Sequence, residues 1–314
     1  SIITALTSKL KYSKIKTFSV VFNEKNIDES NYSDKIAKMF NTDHHRIVFD
    51  PKNFNKLLAR CTWYNDEPLN FPNSVGIYLL SRYASRHVKV LLGGEGADEI
   101  FAGYNFFRKK SHYPLKNRMI RINDLYNLIH PKRYSNDFKN FLHSKSDFLS
   151  PLNQEIDYNL HTYLQTIENR ADKMSMAASI EMRLPFLDHK IVDLAFSLPD
   201  GFKLSSSGKT KYILKRLGEK FFPHDFVNRP KIGFSVPINK WFKNNSLLGD
   251  QIKILLEERT LSREYLNADG VKSLVKNFAN RKDSFKYSMA GRLWILLALE
   301  IWNRTIIEDQ KKIK

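Results

Sequence analysis

Apolar and polar positions alternate between two rhythms over the first hundred residues. Ile2 to Leu10 reads as a helix already under way, and Ile15 to Phe22 (IKTFSVVF) has the β-branched and aromatic make-up of a strand. Asp28 to Phe40 returns to helical spacing, with Asp28 and Ser30 as candidate caps and Ile36, Met39 and Phe40 on one face. His45 to Phe49 is a second strand. Phe54 to Tyr64 and Ser74 to Ser85 are helical, the latter with Ile77, Leu80 and Ala84 on one stripe. Val88, Val90, Leu91 and Leu92 then form a nearly continuous apolar run, the pattern of a strand covered on both faces. This β-α-β-α-β order predicts a parallel sheet with right-handed crossovers.

From Asn105 onward the pattern changes. Leucine, isoleucine and phenylalanine recur at helical spacing through Ile307, without convincing strands. Arg170 to Met182 and Tyr212 to Phe221 read as helices, and Tyr287 to Ile306 as a long apolar closing helix. Residues 111–150 read as a helical or loop insertion. The fold class is α/β, with an α/β core over residues 1–105 and a mainly helical part of the same domain over 106–314.

The Val88 run breaks into Gly93-Gly94-Glu95-Gly96 and then Ala97-Asp98-Glu99, an acidic helix start. A glycine loop at the carboxyl end of a parallel strand is where ligands bind in open α/β folds. Its N–H groups suit a phosphate or nucleotide. The dinucleotide pattern G-x-G-x-x-G fails, because its third glycine falls at Glu99. A tight turn with a solvated acidic cap is the alternative reading. Ser207-Gly208-Lys209-Thr210 looks like the end of a Walker A loop, but the first glycine it requires is Lys203, which rejects that motif. His44 and His45 are adjacent on a strand and so point to opposite faces, which argues for packing rather than a shared ion.

Composition narrows the class. With 314 residues, 42% hydrophobic and 27% charged, the chain reads as an ordinary globular protein with room for a large core. No apolar run approaches the ~20 residues of a membrane span, and the start lacks the layout of a signal peptide. Cys61 is the sole cysteine, so intramolecular disulfides and a cysteine zinc site are excluded, and the cytoplasm is the expected compartment. The net charge of +18 invites a nucleic-acid reading, but the basic residues are spread along the chain and no RNA-binding signature accompanies them. Neither nucleic acid nor membrane is an expected partner.

Further blocks stand beside the glycine loop: Arg170 to Asp188 (RADKMSMAASIEMRLPFLD), Lys211 to Trp241 (KYILKRLGEKFFPHDFVNRPKIGFSVPINKW), Thr17 to Val20 and Thr42 to His45. Together with VKVLLGGEGADEIFAGY they resemble, in order, the asparagine synthetase (glutamine-hydrolysing) family, whose signature runs S-G-E-G-x-D-E-x-F-x-G-Y. The resemblance implies a parallel-sheet ATP-pyrophosphatase core (adenine nucleotide alpha hydrolase-like). It also implies activation of aspartate by ATP through β-aspartyl-AMP, with ammonia from glutamine displacing AMP. ATP and Mg²⁺ are the implied cofactors. The implied partners are aspartate, ammonia or glutamine, and an N-terminal glutaminase domain, with room for a homodimer.

Residue by residue, the resemblance assigns Glu95 to support of the adenylate and acceptance of the ammonia proton, and Lys211 to the pyrophosphate or α-phosphorus. Gly93 and Gly94 become nucleotide contacts, Val20 an adenine-pocket position, and Asp98 a Mg²⁺ ligand. Lys209 and Lys231 are runners-up for the cationic role. Glu181 and Arg183 form an expected internal ion pair. The family's usual serine is replaced by Gly93, which removes a hydroxyl contact. The S-G-G-x-D-S pyrophosphate loop and the glutaminase domain have no counterpart here, so the chain reads as a fragment. The alternatives are a related amidotransferase acting on another carboxylate, such as a sugar acid, and a non-catalytic nucleotide- or RNA-binding module.

Overall fold

The computed structural model describes residues 1–10, 13–21, 28–49, 51–108, 128, 149–229, 236–243, 248–280 and 287–308. Nearly all of the insertion read at 111–150 lies outside them, as does Lys231. The chain divides into two compact units, one formed by Ser1–Phe49, Gly76–His112 and Ser144–Gly233, the other by Asp50–Val75, Tyr113–His143 and Phe234–Lys314.

In the first unit, helix α1 (Ile2–Leu10) leads to β1 (Lys16–Val21), then α2 (Ser30–Met39) and β2 (Asp43–Val48). The two strands pair in parallel, from Lys16 opposite Asp43 to Val21 opposite Val48. Lys16 Nζ reaches Asp43 at 2.6 Å across that first pair, and this ammonium is the main cause of the lowered pKa of Asp43. Adjacent histidines part as strand alternation requires. His44 bonds Thr17 at 2.8 Å and Ser19 at 3.1 Å, whereas the His45 ring stacks on Phe18 with centroids 5.1 Å apart. Helix α2 packs Ile36 with Ala5 of α1 against Phe222 and Phe226.

Helix α4 (Ser74–Ala84), which follows α3 (Pro51–Asn65) in the chain, precedes β3 (Val90–Leu92). The expected single sheet is two separate parallel pairs among the described residues, because β3 pairs with β4 (Glu181–Arg183). The strand β4 corrects the helix expected over Arg170–Met182. Helix α7 (Gln165–Met176) stops there, and Ser179 takes a positive φ of 55° before the strand begins. Nor is β3 covered on both faces: Val90 and Leu92 are exposed, with Leu91 half-buried. The Glu181–Arg183 pair exists at 2.9 Å but is exposed rather than internal, since both side chains occupy one solvated face of β4 two residues apart.

After β3 comes the short helix α5 (Ala97–Ile100), whose end is embedded in the core. Ile100 and Phe101 pack with Ala195 of α8 (His189–Ser197), and Ala102 packs with Phe107 and Ile156 of α6 (Pro151–Asn159). Ser150 caps α6 by accepting from the Asn153 N–H, and Asp188 caps α8 by accepting from the Lys190 N–H. A π-helical turn, Leu160–Leu164, joins α6 to α7. Helices α9 (Asp200–Lys203), α10 (Tyr212–Gly218) and α11 (His224–Val227) complete the unit.

The described residues of the second unit are helical apart from their connecting turns. Phe54 of α3 (Pro51–Asn65) meets Trp241 edge-on at 5.2 Å, and the Trp294 indole donates to the Leu69 carbonyl at 3.0 Å. Its closing helix (Tyr287–Trp302) buries Ala290, Leu293, Trp294, Leu296, Leu297 and Ala298, then widens into a π-helical turn over Asn303–Ile307. Among the described residues no helix is long and apolar enough to cross a membrane.

Candidate active site

The site grows from the end of β3. The Gly93 N–H donates to the Arg183 carbonyl at 2.9 Å, so the ladder with β4 carries the chain into the loop before releasing it. Gly96 then caps α5 with φ 92°, a conformation that costs glycine little and other residues much. A Cβ there would also collide with Leu187. The next turn presents Asp98 and Glu99 in two different environments.

Asp98 is partly exposed, and its Oδ1 lies 2.9 Å from Lys211 Nζ. Lys211 is the N-cap of α10 with φ 50° and ψ 41°, and its own N–H donates to the Phe101 carbonyl at 3.2 Å. That bond ties the cap of one helix to the end of the other, so the lysine's approach to Asp98 is set by backbone. Further cations gather behind it. Burial lowers the pKa of Lys215, with the nearby charges of Lys211, Arg108 and Lys209 adding to the effect. The result is a local positive field of the kind that receives phosphate oxygens.

Glu99 is buried and accepts a short hydrogen bond from the Tyr104 hydroxyl. Burial, reinforced by the charge of Glu99, raises the pKa of that phenol, which stays a protonated donor. The Tyr104 ring meets Tyr163 of the π-helical turn edge-on at 5.8 Å. Close by, the guanidinium of Arg170 on α7 has its pKa lowered by burial. The charge that opposes this most is Glu95, followed by Tyr163, Tyr104 and Glu99. Two of the acidic side chains thus have direct partners, Asp98 with Lys211 and Glu99 with Tyr104, while Glu95 and Glu99 both act on the buried charge of Arg170.

A family model for asparagine synthase matches residues 1–304. The chain belongs to the asparagine synthase family. It is 28% identical over 343 residues to "Asparagine synthetase [glutamine-hydrolyzing] 1" of Bacillus subtilis (strain 168), covering 94% of this chain and 53% of that protein. A "Putative asparagine synthetase [glutamine-hydrolyzing]" of Mycobacterium tuberculosis (strain ATCC 25618 / H37Rv) is 29% identical over 281 residues, covering 75% and 43% respectively. The mouse protein named "Asparagine synthetase [glutamine-hydrolyzing]" is 25% identical over 240 residues, covering 73% and 36%. The chain spans about half or less of the length of these relatives.

For this asparagine synthase family member, the structure brings Gly93, Gly94, Glu95, Asp98 and Lys211 to one loop and one helix cap. Val20 lies apart from them in the chain's other pair of strands, opposite Ile47. Lys203, where a Walker loop would need glycine, is fully buried. Its ammonium donates to Asn153 Oδ1 at 2.7 Å and to the carbonyls of Ala195 and Leu198 at 2.8 and 2.9 Å. Sequence reasoning passed over Arg170, Glu99 and Tyr104. All three sit inside the matched blocks, but only the fold puts Arg170 beside Glu95.

Proposed function

We propose that this chain carries the synthetase half of a glutamine-dependent asparagine synthetase, on an ATP-pyrophosphatase type of core. The observation that supports it best is the Asp98–Lys211 pair at 2.9 Å, which sets a carboxylate and a cation together at a glycine loop following a parallel strand. In this reading the aspartate side-chain carboxylate attacks the α-phosphorus of ATP, forming β-aspartyl-AMP and releasing pyrophosphate. Ammonia then attacks the acyl carbon, AMP leaves, and the nitrogen loses a proton.

Gly93 and Gly94 offer backbone to the nucleotide, with Val20 in the adenine pocket. Lys211, with Lys215, Lys209 and Arg108 near it, stabilises the charge that collects on the departing pyrophosphate. Glu95 accepts the ammonia proton. Asp98 offers the hard oxygen donor that a Mg²⁺ ligand must have. Mg²⁺ takes one or two carboxylates plus substrate phosphates, and when bound it neutralises phosphate charge.

The test is pyrophosphate release from MgATP by the complete natural polypeptide, with aspartate and ammonia, beside a Glu95→Ala control. Release that requires aspartate and collapses in the variant supports the reading. Release that ignores aspartate but responds to a sugar acid would move the chain to an amidotransferase for another carboxylate. Failure to bind ATP would leave a binding module and remove the site assignments.

A further inference from the structure

Residue 93 shapes the place where Glu95 lies. A Cβ built on Gly93 would stand 2.5 Å from Glu95 Oε2, 2.7 Å from Leu184 Cδ2 and 3.4 Å from Met182 Sδ. The carboxylate thus rests in the space that any side chain at 93 would occupy. Met182 belongs to β4 and Leu184 follows it, and both are fixed in register by the Leu91–Met182 and Leu92–Arg183 pairs and the Gly93–Arg183 hydrogen bond. Bare Gly93 is the floor of a seat, and Met182 and Leu184 are its walls. Gly94, one residue on, is different: a Cβ there meets nothing within 4 Å.

We propose that residues 93 and 95 act as one unit, with Gly93 a positioning residue whose missing side chain sets where the Glu95 carboxylate rests. The role given to Glu95 is that of the proposed function, and the inference rests on that reading only for its catalytic consequence. The buried guanidinium of Arg170 lies within electrostatic reach of that carboxylate. Glu95 acts on it more than any other ionised group does, so a displaced carboxylate would also leave a buried guanidinium less well compensated.

The test is a double-mutant cycle in the complete natural polypeptide, using Gly93→Ala, Gly93→Ser, Glu95→Ala and the two double variants. Each is read by thermal unfolding and by pyrophosphate release. Gly93→Ala and Gly93→Ser should lower Tm by about 2 °C or more, and by clearly less when residue 95 is alanine. Gly94→Ala is the comparator and should lower Tm less than Gly93→Ala. In the assay both Gly93 variants should lose roughly 10- to 100-fold in kcat with the KM for ATP nearly unchanged, and should add no further loss to Glu95→Ala. Equal Tm losses in the two backgrounds would overturn the seat. A kcat loss that persists undiminished beside Glu95→Ala would overturn the positioning role, because residue 93 would then act on the nucleotide directly. If the Tm coupling appears while the unaltered protein releases no pyrophosphate, the seat stands and the synthetase reading falls.

Discussion

Two regions of this protein gather charge in opposite ways. In the second unit, Glu300 is buried and takes Arg263 through two hydrogen bonds of 3.1 Å and Arg304 through one of 2.7 Å. Arg263 also reaches Glu308, which Arg259 holds too, and Arg304 reaches Glu257 at 2.8 Å. Glu300, Arg263, Glu308 and Arg304 each have more than one partner there. Around the glycine loop of the first unit, Asp98 meets Lys211, Glu99 meets Tyr104, and the buried charge of Arg170 is opposed most by Glu95. A shared network loses little freedom when one member shifts, and it rigidifies. Asp98 and Lys211 both stay in contact with solvent, whereas Glu300 is almost wholly covered. The contrast is between a covered network, whose loss is costly, and a pair open to solvent.

Breaking the loop side first gives the largest effect. Glu95→Ala should lower kcat for pyrophosphate-coupled amidation about 10²- to 10⁴-fold, with nucleotide affinity retained, as measured by steady-state kinetics beside equilibrium binding. Lys211→Met should cost about 10²-fold in kcat. If Lys211→Met instead raised only KM, the lysine would be binding ground state and transition state alike.

On the network side, Glu300→Ala should cost about 3 to 5 kcal/mol in denaturant unfolding, because two arginines lose a buried carboxylate. Pyrophosphate release measured well below the new midpoint should survive in that variant. A catalytic loss there as large as that of Lys211→Met would erase the contrast between the two regions.

Cys61 sharpens it in a different way. The thiol is buried, and desolvation pushes its pKa up to about 12. It should resist a thiol-specific chromogenic reagent in the native protein at pH 8 and react once the protein is unfolded. The folded state keeps this proton after the unfolded chain has released it near pH 9, so this group's contribution to stability is complete below that pH. It is lost as pH rises towards about 12. Smallest of all is Glu181→Ala: with both partners on a solvated strand face, no change in Tm should be resolvable.

Much of this was legible in the chain, for reasons that differ by element. Strands β1 and β2 announce themselves through Phe18, Val20, Ile47 and Val48, and the glycine loop through its spacing. Strand β4 does not, since Glu-Met-Arg carries neither β-branched residues nor alternation and three residues are too few to show a period. Its existence depends on β3 lying beside it. The coverage expected for β3 failed for a related reason, because so short an apolar run does not report how many neighbours the fold supplies. In the site, the loop residues are local and readable. Arg170 is not, because α6, the π-helical turn and α7 must form before it can approach Glu95. The second unit's network escapes the sequence for the same reason, since Arg263 and Glu300 meet only when their helices pack.

The backbone of Lys211 carries one more implication. Its φ of 50° is comfortable for glycine and costs a side-chain-bearing residue of order 1 to 3 kcal/mol. Replacing this lysine by glycine should therefore relax the helix entry and make the fold harder to melt, while removing the ammonium that faces Asp98. A variant that is sturdier and idle at once would mark residue 211 as a place where durability has been surrendered for chemistry. In a search for active sites in other chains, a lysine standing in a left-handed cap opposite an aspartate would then be a sign worth looking for before any ligand is known.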